Sequence, residues 1–254
     1  MGVVLSYAEY GNAEAFPVLF SSSIGSSRLM WSRQVKPISA ERRMLLLDHR
    51  GHGESPMPEG PYEMSDLAGD VIVTMDSLGI ERADFVGLSL GGMVGMWLGA
   101  HYPDRIRRLV LACTTPYMPP PELWLERAAK VMEYGMESIQ DAVFARWFTE
   151  SFASEHPGQV SPLRDQFLAT SPYGYSQCGL AISRMDQRES LASITAPTLV
   201  IAGSDDPATT PEVCHDLAAA IPGAIFAEVE ASHIAAVEAS ADFTELVLEH
   251  LSKG

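Results

Sequence analysis

The chain has 254 residues, of which 46% are apolar and 20% charged, and its formal net charge is −16. This length favours one domain with room for an insertion, and the negative charge argues against nucleic acid or an anionic membrane as a partner. The sequence has no run of 18 apolar residues that would predict a membrane span. It also has no basic segment followed by an apolar one that would predict a signal peptide.

Strand-like and helix-like segments alternate along much of the chain. Several of the strand-like segments are continuous apolar runs, as expected for strands buried on both faces of a sheet. The predicted strands cover residues 3–7, 17–22, 43–47, 83–88, 108–113, 197–202 and 225–229. The predicted helices outside the middle of the chain cover residues 64–78, 91–101, 211–220 and 240–251. The alternation predicts an α/β fold with a mostly parallel, doubly wound sheet.

The alternation stops in the middle of the chain, where no convincing strand pattern occurs. The periodic segments there are helical and cover residues 121–134, 139–148, 162–170 and 177–185. Three consecutive prolines at residues 119–121 mark the start of this region, and the sequence Thr-Ala-Pro at residues 195–197 marks its end. We therefore predict a core domain of residues 1–114 and 196–254, with a helical cap of residues 115–195 inserted between two strands.

The motif Gly-x-Ser-x-Gly occurs at residues 87–91, between a predicted strand and a predicted helix. In that context the motif is typical of a nucleophile elbow, in which Ser89 lies on a tight, strained turn. Gly87 and Gly91 provide the lack of bulk that such a turn requires. The turn also places the N–H of Leu90 at a helix N-terminus, where a developing negative charge is stabilised. Ser89 is therefore the predicted nucleophile.

A serine hydroxyl needs a base to take its proton and an acid to orient that base. Asp206 and His233 each follow a predicted strand, in the chain order serine, acid, histidine. The neighbouring Asp205 is an alternative acid, although a role in capping the next turn is favoured for it. The other late histidines, His215 and His250, lie within helical patterns and are expected to be solvated or to cap helices.

A second oxyanion donor is expected from the loop that follows the strand at residues 17–22. The sequence there is Ser-Ser-Ser-Ile-Gly at residues 21–25. Because the donor is a backbone N–H, the identity of the side chain is not restricted. By position we assign Ile24 as this donor, together with Leu90.

The segment Asp-His-Arg-Gly-His-Gly-Glu-Ser at residues 48–55 contains two histidines that could indicate a metal or acid–base site. A structural role is favoured, in which the glycines form a tight turn that Asp48 and Arg50 hold by hydrogen bonds. No second cluster completes a metal site. Cys113, Cys178 and Cys214 also lack metal-ligand spacing. Reduced thiols in a cytoplasmic protein are the simplest interpretation of these three cysteines.

These residues resemble the α/β-hydrolase superfamily and, more narrowly, the 3-oxoadipate enol-lactonases. In the core, the resemblance rests on SSSIGSSRLMW, DHRGHGES, GLSLGGMVGMWLG, YPDRIRRLVLACTT, PTLVIAGSDDPATTP and ASHIAAVE. In the cap, it rests on GMESIQDAVFARWFTESF and YGYSQCGLAISRMD. The resemblance implies Ser89, Asp206 and His233 as a catalytic triad, Trp147 in the substrate pocket, and no cofactor or metal. It also implies aromatic catabolism, with an acyl-enzyme route that opens a small enol-lactone bearing a carboxylate.

A substrate carboxylate must be bound by positive groups in a chain of charge −16. We expect at least one of Arg127, Arg146, Arg184 or Arg28 to bind it, because a guanidinium can make two parallel hydrogen bonds to a carboxylate. Tyr175 is expected to line the same pocket. The alternative is that the cap arginines lie on the surface and pair with acids such as Glu126, Glu133 or Asp186.

Other functions of the same fold share the predicted catalytic residues. A carboxylesterase with perhydrolase or γ-lactamase activity is the main alternative, followed by a carbon–carbon bond hydrolase. A haloalkane dehalogenase is disfavoured because its chemistry requires an aspartate where Ser89 lies. A non-catalytic binding protein is disfavoured because all three triad residues are present. The sequence leaves the oligomeric state open.

Overall fold

A computed structural model describes residues 2–252. Its strands form a single seven-stranded sheet. They are β1 (Tyr7–Tyr10), β2 (Pro17–Ser21), β3 (Arg43–Leu47), β4 (Ala83–Leu88), β5 (Ile106–Ala112), β6 (Thr198–Gly203) and β7 (Ile225–Val229). Six of the seven lie within two residues of the predicted positions, and the doubly wound α/β fold is confirmed.

The strand order is β1-β3-β2-β4-β5-β6-β7, and every neighbouring pair is parallel except β1 and β3. Strands β4 and β6 are buried along their whole length, as their apolar sequences predict. The carboxyl ends of the parallel strands meet at one edge of the sheet. Open α/β sheets bind their ligands at this edge, and the loops after β2, β4, β6 and β7 carry the predicted triad and oxyanion residues.

The first strand differs from the prediction, because it begins at Tyr7 rather than at Val3. The backbone N–H groups of Val3, Leu5 and Ser6 donate to side chains instead of to a neighbouring strand. Their acceptors are Asp70 Oδ1 at 2.7 Å, Thr74 Oγ1 at 2.9 Å and Ser55 Oγ at 2.8 Å. The apolar pattern therefore did not mark a buried strand: only Leu5 is buried, Val4 is exposed, and side chains take the place of a strand partner.

Eleven α-helices are present within residues 2–252. They are α1 (Ser32–Ser39), α2 (Met64–Ser77), α3 (Leu90–His101), α4 (Pro121–Tyr134), α5 (Gln140–Trp147), α6 (Glu150–Glu155), α7 (Pro157–Leu168), α8 (Pro172–Arg184), α9 (Pro211–Ala220), α10 (Ala235–Glu238) and α11 (Ser240–Ser252). Helix α1 was not predicted, and it contains Pro37. Its buried Gln34 donates to Ala236 O and Thr244 Oγ1, so distant contacts stabilise it. None of these helices combines the length and apolar composition that a membrane span requires.

Helices α4–α8 all lie between β5 and β6, within the segment for which we predict a cap. Helices α7 and α8 each begin five residues earlier than their apolar patterns indicate, at Pro157 and Pro172. Proline suits the first turn of a helix, where its missing N–H has no intrahelical partner to lose. The division into a core and a cap domain stays a prediction.

Candidate active site

Ser89 lies between β4 and α3 with backbone angles of φ 57° and ψ −114°. A non-glycine residue with positive φ is strained, and such strain is concentrated at functional sites. Steric contacts explain why glycine occupies both flanking positions. A Cβ at Gly87 would overlap the Gly91 carbonyl, and a Cβ at Gly91 would overlap the carbonyl of Ser21. The turn therefore closes only with glycine at both positions.

The predicted serine, histidine and aspartate form a continuous hydrogen-bonded chain. His233 Nε2 lies 2.9 Å from Ser89 Oγ, and His233 Nδ1 lies 2.8 Å from Asp206 Oδ2. All three residues are at most 7% exposed. The serine hydroxyl can therefore donate to Nε2 while Nδ1–H donates to the carboxylate, which is the arrangement for general-base activation of a nucleophile.

The Asp206 carboxylate accepts more than the histidine proton. The backbone N–H groups of Ala208 and Thr209 donate to Oδ1 at 2.8 and 3.1 Å, and Thr209 Oγ1 donates to Oδ2 at 2.6 Å. Burial raises the pKa of Asp206, but His233 and these hydrogen bonds outweigh burial and hold the pKa below its ordinary value. The carboxylate therefore stays ionised at neutral pH.

Asp205 does not contact the histidine. Its side chain is exposed and accepts a hydrogen bond from Ser204 Oγ at 2.8 Å. The structure thus brings Asp206, and not its neighbour, to His233. Of the other late histidines, His215 is exposed, whereas His250 is buried with its Nε2 3.1 Å from the Pro197 carbonyl oxygen. The expectation of a solvated or capping role was therefore wrong for His250.

The two predicted oxyanion donors lie on backbones that touch each other. Leu90 is the first residue of α3, so its N–H has no acceptor in a preceding helical turn. The next N–H, of Gly91, donates to the Ser22 carbonyl oxygen at 3.0 Å. This bond joins the elbow to the loop that carries Ile24, whose side chain lines the cavity next to Ser89.

A cavity of about 330 Å³ opens above Ser89 and His233. Most of its apolar wall comes from the segment between β5 and β6, which contributes Met118, Trp124, Val143, Trp147 and Ile182. Met93 of α3 also lines the cavity. Its polar lining includes Arg127, Arg146 and Tyr175, so four of the five predicted substrate-binding residues line the cavity. Its size suits a small molecule.

Arg127 and Arg146 are uncompensated positive charges in this cavity. No carboxylate of the described chain lies within 4.0 Å of either guanidinium. Burial, together with the like charge of Arg127, lowers the pKa of Arg146 from its ordinary value. Burial raises the pKa of Tyr175, which the two arginines oppose. An anion in the cavity would relieve the repulsion between the arginines.

The other arginine candidates are engaged elsewhere. Arg184 does not line the cavity; it pairs with Glu63 at 3.0 Å and donates to the Tyr62 carbonyl oxygen at 2.7 Å. The prediction that Arg184 binds the substrate is therefore corrected, because α8 directs this residue toward the segment before α2. Arg28 pairs with Asp48 and Glu54.

Hydrogen bonds tie the end of α5 and the residues after it to the histidine loop. Ser232 Oγ and the His233 N–H both donate to the Arg146 carbonyl oxygen, at 2.7 and 3.3 Å. Glu238 accepts from the Ser232 N–H at 3.0 Å through one carboxylate oxygen. Through its other oxygen it accepts from the Thr149 N–H at 3.3 Å, and Thr149 Oγ1 also donates to it. The cavity wall and the histidine are thus held together.

The comparisons with known proteins agree with this arrangement. The family described as alpha/beta hydrolase fold matches residues 17–240. The chain belongs to this family. It is 36% identical over 245 residues to 3-oxoadipate enol-lactonase 2 of Acinetobacter baylyi, which covers 96% of this chain and 92% of that protein.

Two further relatives delimit what this hydrolase resembles. The crystal structure of the enol-lactonase from Burkholderia xenovorans LB400 superposes with a TM-score of 0.96 at 40% identity, covering 98% of this chain and 96% of that one. A putative carbamate hydrolase, RutD of Variovorax paradoxus, is 32% identical over 83% of this chain and 81% of that protein. The relatives therefore agree on a hydrolase and differ in the substrates that their names state.

Sequence reasoning missed several residues of this hydrolase that contact the site. Thr209 could have been found, because a hydroxyl residue three positions after an aspartate commonly hydrogen-bonds back to it. The contacts of Ser232 with Arg146 and of Glu238 with Thr149 had no local signal, since these partners lie more than 80 residues away in sequence.

Cysteines and metal ligands add nothing to the site of this hydrolase. Cys113, Cys178 and Cys214 are buried and unpaired. Among residues 2–252, no group of three or more His, Cys, Asp or Glu side chains is arranged to hold a metal ion.

Proposed function

We propose that this hydrolase is a serine esterase that opens a small enol-lactone bearing a carboxylate, converting 3-oxoadipate enol-lactone to 3-oxoadipate. The observation that carries the proposal is the pair of unpaired guanidiniums, Arg127 and Arg146, in the same cavity as Ser89 and His233. The hydrogen-bonded Ser89, His233 and Asp206 carry out the reaction, and the two arginines select an anionic substrate.

Ser89 Oγ attacks the lactone carbonyl carbon while His233 Nε2 takes the hydroxyl proton. The tetrahedral oxyanion is stabilised by the backbone N–H groups of Ile24 and Leu90. When the intermediate collapses, the bond between the acyl carbon and the ring oxygen breaks. The enol oxygen takes the proton from His233 and remains tethered to the acyl chain. Asp206 orients the imidazole and stabilises its charged form throughout.

Water then hydrolyses the acyl-enzyme. His233 takes a proton from the water, the hydroxide adds to the acyl carbon, and Ser89 leaves with the proton returned by His233. The enol product becomes the ketone by moving a proton to carbon, and the product carries two carboxylates. The whole reaction adds one water molecule and needs no oxidant, reductant or metal.

The arginines are supported as a substrate-binding pair by their surroundings. In a chain of charge −16, the field of the whole surface repels an anionic substrate. A local cationic cavity is therefore needed to attract it. Arg127 is partly buried and also stacks on the Trp124 ring at 4.7 Å, which fixes its position without neutralising it.

The test is hydrolysis of a panel that contains the anionic enol-lactone, neutral aryl esters and γ-lactams. We expect the enol-lactone to have the highest kcat/KM. We also expect Ser89→Ala to lose on the order of 10⁴-fold or more in turnover without losing its fold. A fluorophosphonate should label Ser89 alone. A preference for neutral aryl esters would favour the general carboxylesterase, and labelling at another serine would overturn the triad.

A further inference from the structure

The two histidines of the segment at residues 48–55 form hydrogen bonds with the backbone of the loop that carries Ile24. His49 Nε2 lies 2.9 Å from the Ser22 carbonyl oxygen, to which it donates. The Gly25 N–H donates to His52 Nε2, also at 2.9 Å. Both imidazoles are buried, with 3% and 1% of their surface exposed. The catalytic scheme above makes no use of either ring.

These two bonds fall on the peptide units on either side of the one that carries the Ile24 N–H. That N–H belongs to the peptide between Ser23 and Ile24. The Ser22 carbonyl belongs to the preceding peptide, and the Gly25 N–H belongs to the following one. Because each peptide unit is planar, fixing both flanking planes restricts the rotation of the plane between them. The direction of the Ile24 N–H is thus set by two imidazoles.

The same carbonyl also connects the two oxyanion donors. Ser22 O accepts from His49 and from the Gly91 N–H, which follows Leu90 in the first turn of α3. A displacement of this carbonyl would therefore change the distance between the Ile24 and Leu90 N–H groups. Oxyanion stabilisation depends on that distance, because both donors must reach one oxygen atom.

We propose that His49 and His52 are positioning residues that hold the Ile24 N–H in line with the Leu90 N–H for the oxyanion. The proposal rests on the proposed serine-hydrolase function. It gives the segment at residues 48–55 a role in turnover, beyond a tight turn held by Asp48 and Arg50.

Their hydrogen bonds require opposite tautomers in the two rings. His52 accepts at Nε2, so its proton is on Nδ1, which lies 3.2 Å from the Arg50 carbonyl oxygen. His49 donates from Nε2. Burial lowers the pKa of His49 to about 4 and the pKa of His52 to about 3, so both rings stay neutral at working pH. A charged His52 could not accept the Gly25 N–H.

The experiment compares His52→Gln with His52→Asn. A glutamine can place its amide oxygen where Nε2 lies, whereas asparagine is one carbon too short to reach Gly25. Turnover, KM, melting temperature and inhibition by phenylboronic acid, which forms a tetrahedral adduct with serine, are measured for each variant. His250→Gln is the matched control, because His250 is equally buried and its Nε2 also lies near a backbone carbonyl.

We expect His52→Asn to lose about 10- to 100-fold in kcat, less than the roughly 10²–10³-fold cost of removing an oxyanion donor, because the Ile24 N–H is displaced but still present. Its KM should change little, its affinity for phenylboronic acid should fall in parallel with kcat, and His52→Gln should recover most of the loss. His250→Gln should lower only the melting temperature.

Equal kcat and boronate affinity in His52→Asn and the wild type would overturn the proposal, even if stability falls. So would equal losses in the Asn and Gln variants. Retention of activity in Ser89→Ala would instead overturn the proposed function, so the two failures are distinguishable.

Discussion

The carboxyl edge of the sheet and the helices between β5 and β6 contribute differently to the site. At the sheet edge, Ser89, Asp206 and His233 are each fixed by strained backbone or by short buried hydrogen bonds. On the helices, Arg127 and Arg146 line the cavity without a carboxylate partner. The side chains at the sheet edge are preorganised for one reaction. The guanidinium groups of the two arginines, by contrast, have no anionic partner until a ligand binds.

The difference has an energetic reason. Preorganised donors stabilise a transition state because they need no rearrangement when charge develops. A binding wall gains selectivity in another way, by leaving charges that only the correct ligand can pair. Changes at the sheet edge should therefore affect every substrate alike, and changes in the wall should depend on substrate charge.

The largest effect is expected for Asp206→Asn at the sheet edge. The amide cannot hold His233 in the tautomer that accepts the serine proton, so kcat should fall by about 10⁴-fold for anionic and neutral substrates alike. Asp205→Asn is the matched control and should keep wild-type kcat, since its side chain is exposed. Steady-state kinetics of both variants would refute the assignment if their ranking were reversed.

The second effect should separate the two regions. Replacing the substrate-binding arginine by alanine, in Arg127→Ala or Arg146→Ala, should cost about 2–3 kcal/mol in kcat/KM for the anionic lactone. A neutral aryl ester should be hydrolysed almost as well as before. Arg184→Ala is the control, because Arg184 pairs with Glu63 outside the cavity. If both substrates lost equally in every variant, a general esterase would be the better account.

The third effect concerns Glu238, which bridges the two regions by accepting hydrogen bonds from Ser232 and Thr149. In Glu238→Gln one oxygen becomes an N–H₂ group that can accept neither from Ser232 nor from Thr149, so one arm of the bridge is lost. We expect kcat/KM to fall about 10-fold for both substrates, since a hydrogen bond to a charged group contributes about 1.5–3 kcal/mol. Glu230→Gln, at an exposed position, should leave both unchanged. A loss confined to one substrate would contradict the idea that Glu238 supports both the histidine loop and the cavity wall.

The last effect concerns stability, because the free energy of unfolding should change with pH. The folded pKa values of His49 and His52, about 4 and 3, lie below 6.5 in the unfolded chain, so the unfolded state binds more protons below pH 6.5. The free energy of unfolding should therefore fall as pH drops from 6.5 toward 4, by about 1.4 kcal/mol per unit for each histidine.

Protonation of Asp206 lowers the free energy of unfolding only at more acidic pH, because its folded pKa is lowered from an already acidic value. Denaturant titrations at several pH values would measure these slopes. His52→Gln should show a shallower slope than the wild type between pH 6.5 and 4, and an unchanged slope would contradict the burial of a neutral His52.

The sequence alone determined the sheet, the elbow and the order of serine, acid and histidine. Apolar runs mark buried strands wherever the sheet puts them, and the glycines at 87 and 91 are required by local backbone sterics. The preference for Asp206 over Asp205 was also a local inference, since Asp205 was expected to cap the next turn. Each of these features was found from a local pattern in its own segment of the chain, even though Ser89 and His233 are 144 positions apart.

Only the tertiary structure decided which cationic residues face the cavity and what holds the loops. Arg127, Arg146 and Arg184 all lie on predicted cap helices, and the sequence does not distinguish them. The direction in which each helix presents its arginine depends on how the helices pack. The bond from Gly25 to His52 and the bridge through Glu238 join residues 27 and 89 positions apart. Such contacts leave no periodic or local pattern, because their partners are chosen by the folded arrangement.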